Sequence, residues 1–277
     1  MSDMYGGSSP IAWPVGIALI LVALFYSLGW YHLRKVLSNS VWRFAAFIIG
    51  IASIAGVWAT RLAHLDHHSL TAHMLQHLVL MTVAAPLLLL GDTGRLLWHS
   101  LPDGLTRRIS DDLNRYSSIN KLGRFFAYPI LCWFAGTGCV LLWHVPALFE
   151  LGMRSEAWHA FEQATFLAAG ILFWLPVIQP WSATQRFQWS IPLYLFLATL
   201  PCDALSAFLT FCGHVVYSSY LSGSGLSDGS ALRNQEFGGA MMWVWVTFVY
   251  LLPAVMITIQ RLSAREPALT IGAGQRA

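Results

Sequence analysis

LTAHMLQHLVLMTVAAPLLLL, residues Leu70–Leu90, runs for 21 residues without an Asp, Glu, Lys or Arg. At a rise of about 1.5 Å per residue, a helix of that length covers roughly 30 Å, the thickness of the hydrocarbon core of a bilayer. The run lacks period-2 alternation and is too long for a barrel strand, so it predicts a transmembrane helix. Comparable apolar runs of about 18 to 24 residues occupy Trp13–Tyr31, Trp42–Ala59, Ala127–Phe149, Ala157–Ile178, Trp189–Cys212 and Gly239–Ile259. The expected fold is therefore all-α: a polytopic membrane protein, one domain of seven transmembrane helices, with a tail over 260–277.

Composition points the same way. Of 277 residues 56% are hydrophobic and only 10% charged, and mean hydropathy is +0.57. A soluble domain carries about 25% charged residues, and a disordered chain needs low hydrophobicity. No basic run with interleaved aromatics occurs, so nucleic acid is not an expected partner, whereas membrane lipid is. Cys132, Cys139, Cys202 and Cys212 all fall inside apolar runs and form no C-x-x-C pair, so they read as buried free thiols. Met1–Trp13 contains no Lys or Arg and no small-residue cleavage site, which predicts an uncleaved first span.

The basic residues orient the bundle. With the N-terminus outside and the C-terminus inside, 13 of the 16 Lys and Arg lie on inner segments, and Arg61, Arg154 and Arg233 remain outside. Two connections are long. The inner one, Gly91–Phe126, mixes charged and apolar residues and predicts an amphipathic surface helix over part of its length. The outer one, Val215–Gly238, is rich in Gly and Ser and reads as a mobile flap.

Polar side chains at membrane depth are expensive, so their placement is the best guide to function. Eight of the ten histidines fall in one outer layer: His64, His67, His68, His73, His77, His144, His159 and His214. His73, His77 and Met81 recur every four residues and share a helix face. Two imidazoles at i, i+4 can reach one metal ion, and a thioether beside them suits Cu(I). The alternative for the same pair is hydrogen bonding between helices. On the fifth helix His159, Glu162, Gln163 and Phe166 share a face, and Glu162 has His159 or Arg154 as alternative ion-pair partners. His64, His67 and His68 read either as a solvated loop or as the first contact for incoming ions. His144 and His214 read as ligands or as interfacial, helix-capping residues, and Met241 and Met242 lie at the same depth. Asp203, Ser206, Thr210 and His214 form a polar stripe on the sixth helix, and a carboxylate at mid-span needs a partner or a neutral form. No G-x-S-x-G, H-E-x-x-H or P-loop motif is present, and a non-enzymatic role is expected.

The stretch from His73-Met-Leu-Gln-His77 through Pro86-Leu-Leu-Leu-Leu-Gly91 resembles the multi-span assembly-factor family for caa-type cytochrome c oxidase. Trp143-His144-Val-Pro146, the His159-centred start of the fifth helix and Leu172-Phe173-Trp174-Leu-Pro176 resemble it too, over roughly residues 60 to 260. The resemblance implies a bacterial inner-membrane protein that matures a haem–copper oxidase and delivers copper to an oxidase subunit. One departure is Gln163, where the resemblance leads one to expect a second histidine four residues after His159.

Three functions follow as expectations. The first is a copper-handling assembly factor, with copper met by His64, His67 and His68, held by His73, His77 and Met81, and passed on by ligand exchange. The second is a b-type haem protein ligated by His77 with His144 or His159. The third is a metal-cation transporter that uses the stripe from Asp203 to His214.

Overall fold

A computed structural model of the chain describes residues 12–34, 40–59, 69–102, 104–109, 128–178, 190–222 and 228–263. Among these, every regular element is helical. They include α1 (Ala12–Leu33), α2 (Ser40–Ala59), α3 (Leu70–Val79), a π-helical turn (Leu80–Ala84), α4 (Ala85–Leu90), α5 (Thr93–Ser100), α6 (Pro129–Trp143), α7 (Pro146–Met153), α8 (Glu156–Ile178), α9 (Ser190–Phe211), α10 (Ser219–Ser222) and α11 (Asp228–Ser263), and residues 104–109 are helical as well. Six helices are long and apolar enough to cross a membrane, and a seventh span arises if α6 and α7 count as one. The chain is a multi-pass membrane protein.

The third span, Leu70–Leu90, is the most enclosed of these helices and lies against α2, α8 and α11. Its π turn has a traceable cause. Pro86 has no N–H, and in π register the acceptor it leaves unanswered, five residues back, is the Met81 carbonyl. That carbonyl accepts instead from the Trp174 indole N–H at 3.1 Å. α8 reaches it because Gly170, one turn before Trp174, has no Cβ; one placed there would lie 2.9 Å from Met81 Cα. Thr82 Oγ donates to the Leu78 carbonyl at 2.6 Å and accepts from the Trp245 indole N–H at 2.8 Å.

Three expectations change. The span expected over Ala127–Phe149 is broken at His144–Val145, where α6 and α7 meet at 77°. Pro146 forces the residue before it out of the helical region, and Val145 is extended at φ −66°, ψ 124°. The break swings Phe149 and Gly152 across the ends of α3 and α8.

The flap expected over Val215–Gly238 is largely helical. α10 lies within it, and α11 begins at Asp228 and runs for 36 residues, so the last span starts eleven residues before the expected Gly239. Two polar residues in this stretch satisfy their neighbours' backbone. Asn234 accepts from Thr71 N at 3.1 Å and donates to Ser69 Oγ at 3.1 Å, which closes the first turn of α3. Gln235 accepts from Val216 N at 2.8 Å and donates to the His214 carbonyl at 3.0 Å. The Gly- and Ser-rich piece 223–227 lies outside the described residues.

Of the connection expected over 91–126, Thr93–Ser100 forms α5 and packs against α1. The Tyr26 hydroxyl donates to the Gly91 carbonyl at 2.8 Å, and Arg43 pairs with Asp92 at 3.1 Å. Residues 110–127 lie outside the described residues.

If Trp174 answers the carbonyl that Pro86 orphans, Trp174→Phe leaves a buried acceptor unpaired. Stability should fall by about 1–3 kcal/mol, the usual effect of such a loss. Denaturant unfolding in detergent, followed by circular dichroism, measures it; an unmoved midpoint would show that the carbonyl has another donor.

Candidate functional site

Helical periodicity places His73, Gln76 and His77 on one face of α3, and His159, Glu162, Gln163 and Phe166 on one face of α8. The two faces meet, and all seven side chains are buried. Glu162 and His73 are each only 1% exposed. His73 Nε2 and His77 Nε2 are 2.7 Å apart, so one ring donates to the other. Glu162 Oε1 lies 3.4 Å from His73 Nε2 and 3.3 Å from His77 Nε2. One donor atom from each of His73, His159 and Glu162 falls within 4.8 Å of the other two, close enough for a single metal ion.

Gln163 takes a supporting part. Its amide donates to Gln76 Oε1 at 3.0 Å and to His159 Nε2 at 3.1 Å. In the second contact His159 Nε2 is the acceptor, which puts that ring's proton on Nδ1 and engages the Nε2 lone pair, so the amide fixes the ring's tautomer and orientation. Glu162, one position earlier, supplies the third donor to the cluster. Its other oxygen, Oε2, is buried without a hydrogen-bond partner among the described residues. Gly152 makes room for that oxygen: a Cβ there would sit 2.6 Å from it.

Aromatic rings close the site. Phe166 stacks on His77 with ring centroids 4.0 Å apart, and Phe149 meets His73 edge-on at 4.9 Å. Tyr217 packs on Phe149 at 4.0 Å and donates its hydroxyl proton to the His144 carbonyl at 3.2 Å. Water is kept out, so charges inside act on each other strongly. An ionised Glu162 in such surroundings requires a positive partner. His73 and His77 are the groups within 3.4 Å of it.

The other expected site residues divide. Met81 is buried and lines a small cavity beside His77, together with His144 and Met242. His144 sits at the α6–α7 break, and its Nδ1–H donates to the Val140 carbonyl at 2.7 Å. His214 does not join the cluster. It is exposed, and its Nδ1 bonds the Cys212 carbonyl at 2.8 Å, as a ring at a helix end does. The stripe of Asp203, Ser206 and Thr210 faces α11 rather than leading to His214. Asp203 accepts from Thr247 Oγ at 3.4 Å, Ser206 is fully buried, and Thr210 Oγ donates to the Ser206 carbonyl at 2.8 Å. His64, His67 and His68 lie outside the described residues. Sequence reasoning passed over Gln76, Phe149 and Gly152. Only Gln76 carried a signal, being three residues from His73 on the face already chosen.

Removing the carboxylate from this dry site exposes its part in the charge balance. Glu162→Ala should lower stability by about 3–5 kcal/mol, as breaking a buried ion pair does, and Glu162→Gln by less because the amide still bonds the rings. Thermal midpoints of the three purified proteins in one detergent decide it; equal midpoints would show that no buried charge depends on Glu162.

The family model described as Cytochrome c oxidase caa3 assembly factor (Caa3_CtaG) matches residues 10–264. Two uncharacterized proteins, from Mycobacterium bovis and Mycobacterium tuberculosis, are each 24% identical over 252 residues, which is 88% of this chain. The chain spans only 37% of the length of these relatives. No solved structure matches. Nearly the whole described bundle, the His73–Glu162 cluster included, falls within the matched residues, and the chain belongs to the family of cytochrome c oxidase caa3 assembly factors.

Proposed function

We propose that the chain handles copper for a haem–copper oxidase, binding the ion in the His73, His77, His159 and Glu162 cluster and releasing it to an oxidase subunit. One observation supports this above the rest: donor atoms of His73, His159 and Glu162 converge within 4.8 Å in a buried site of an oxidase assembly factor. Imidazole is a good ligand for copper, and Glu162 offsets the charge the ion brings. Copper is cargo, and no bond of a substrate is made or broken, so the role is non-enzymatic.

The setting follows from charge. The distribution of Lys and Arg turns the His73 end of the bundle outward, which in a bacterial inner membrane is the periplasmic side. Copper then arrives past the His64, His67 and His68 segment and reaches the cluster at the start of α3. Transfer proceeds by ligand exchange, in which a donor from the oxidase subunit replaces one imidazole at a time.

The haem alternative gains nothing from the geometry. The cavity beside His77 and His144 is about 20 Å³, room for a guest the size of a water molecule and far too small for a porphyrin. The transporter alternative needs an open polar path, and the residues from Asp203 to Thr210 are engaged in packing against α11.

Elemental analysis and an optical spectrum of detergent-purified protein test the proposal, with the His73→Ala/His77→Ala variant alongside. The expected result is about one copper per chain at this cluster, lost in the variant, with no haem absorbance. Copper retained in full by the variant would overturn it, and iron with a haem α band would favour the redox alternative.

A further inference from the structure

Beside the cluster, α3, the π turn, α6, α8, α9 and α11 enclose the small cavity on which His77 borders. Its walls carry an unusual set of donors: the thioethers of Met74, Met81 and Met242, the thiol of Cys202, and the imidazoles of His77 and His144. Met81 belongs to the π turn, Cys202 to α9, Met242 to α11, and His144 to the α6–α7 break, so the set is assembled from distant parts of the chain. Every one of the sulfur-bearing residues is buried.

The ordinary reading of buried Met and Cys is core packing. Three features go beyond it. The cavity, about 20 Å³, has room for one small guest. A water there needs two to four good hydrogen-bond partners, and thioethers are poor ones. A soft monovalent cation is served by the same atoms, since thioether and thiolate are the ligands that select Cu(I) and imidazole binds copper as well. Second, both imidazoles are prepared as ligands. The Nδ1–H of His144 donates to the Val140 carbonyl, which leaves Nε2 as the basic nitrogen. His77 Nδ1 is buried without a hydrogen-bond partner among the described residues, while its Nε2 faces His73 and Glu162. Third, the wall at Met81 is a π turn, a distortion often found at functional sites, held open here by Trp174 and Trp245.

We propose that this cavity is a second metal position, selective for Cu(I), with Met81, Met242, Cys202 and His144 as its donors. His77 is the residue common to both positions, so an ion can pass from the imidazole–carboxylate cluster to the sulfur-lined cavity without entering lipid. No electron transfer is involved: Cu(I) enters and leaves as Cu(I), Cys202 gives its thiol proton to solvent as the ion binds and regains one as it leaves, and Glu162, 3.3 Å from His77, lies close enough to offset the remaining charge. The relay rests on copper being the cargo of the imidazole–carboxylate cluster, whereas binding in the cavity does not.

The test uses the full-length chain in detergent under anaerobic, reducing conditions, loaded with Cu(I) and, as a redox-silent probe, Ag(I). X-ray absorption reports whether sulfur is bonded to the metal. Wild-type protein should bind two equivalents, one of them with sulfur neighbours. Met81→Leu/Met242→Leu keeps the volume of both side chains, and should lose one equivalent together with the sulfur signal while keeping the nitrogen- and oxygen-bound ion. His73→Ala/Glu162→Gln should lose the other equivalent and keep the sulfur signal. Absence of sulfur neighbours in fully loaded wild type, or an unchanged sulfur signal in the leucine variant, would overturn the second position. If both variants abolish the sulfur signal, the two positions are one site and the relay falls. A sulfur-bound equivalent in wild type with none sensitive to His73 would instead overturn the proposed function and leave the cavity site standing. Because the wild-type spectrum is decisive alone, a failure of the leucine variant to fold does not rescue the proposal.

Discussion

A hydrocarbon layer has no hydrogen-bond partner to offer, so each polar group inside this bundle has to be answered by another part of the same chain. That constraint explains the structure's irregularities better than any preference of its helices. Pro86 removes one backbone donor from the most enclosed span, and the response involves three elements: the turn widens, Gly170 lets α8 approach, and Trp174 supplies the missing N–H. α3 begins with unpaired amides, and α11 is extended outward by its polar first turns so that Asn234 can meet Thr71 and Ser69. Glu162 is the most demanding case. As a carboxylate almost wholly removed from solvent, it obliges His73 and His77 to lie within 3.4 Å, and these contacts fix how α3 and α8 face each other.

The same reasoning separates structural polarity from functional polarity. Where the bundle needs only to be held together, polar atoms find partners, as the Asn234 and Gln235 contacts do. At the cluster they do not all find them. Glu162 Oε2, Gln163 Oε1 and His77 Nδ1 are buried and unanswered among the described residues. Unsatisfied atoms of this kind are costly in a dry interior, and several together around convergent imidazoles mark a place built to receive something. Ser206 and Trp133 have one such atom each, but neither stands among convergent imidazoles.

How much of this was legible in the sequence depends on the range of the forces involved. Hydropathy is local, and the long apolar runs became helices in the expected places. The i, i+4 spacing of His73 and His77 and the i, i+3 spacing of His159 and Glu162 are also local, so the two halves of the cluster could be named from their own helices. What no local pattern contains is direction across the bundle. His214 shares the depth of His73, His77 and His159 in the sequence reading, yet it is exposed at a helix end while they are buried. Pro146 was visible in the sequence, but the 77° it introduces depends on what α7 packs against. Gly152 has no motif, and its role appears only once the α6–α7 break has carried it to Glu162. Gly and Ser content predicts a flap over Val215–Gly238, yet the same stretch holds Asn234 and Gln235, whose bonds to the start of α3 and to the backbone after α9 exist only once the helices have met.

Gln163 shows how the chemistry of the cluster is tuned. A histidine at that position would add a further imidazole to His73, His77 and His159, and a metal surrounded by that many nitrogens would be held tightly. The amide instead spends its two protons on Gln76 and His159. It thereby orients His159, whose Nε2 meets a metal only by exchanging the amide for it, and among the described residues Glu162 is the carboxylate of the cluster. For a protein that stores a metal, this is a weakness. For one that passes metal on, it is an advantage, because ligand exchange is fast only when no single position is much deeper than the next. On the copper-handling reading, a cluster of modest affinity bordered by a softer cavity gives successive positions of similar depth, with His77 belonging to both. Glu162 then has two duties that follow from one charge: its contacts with His73 and His77 keep α3 against α8, and it offsets the charge of the metal that passes.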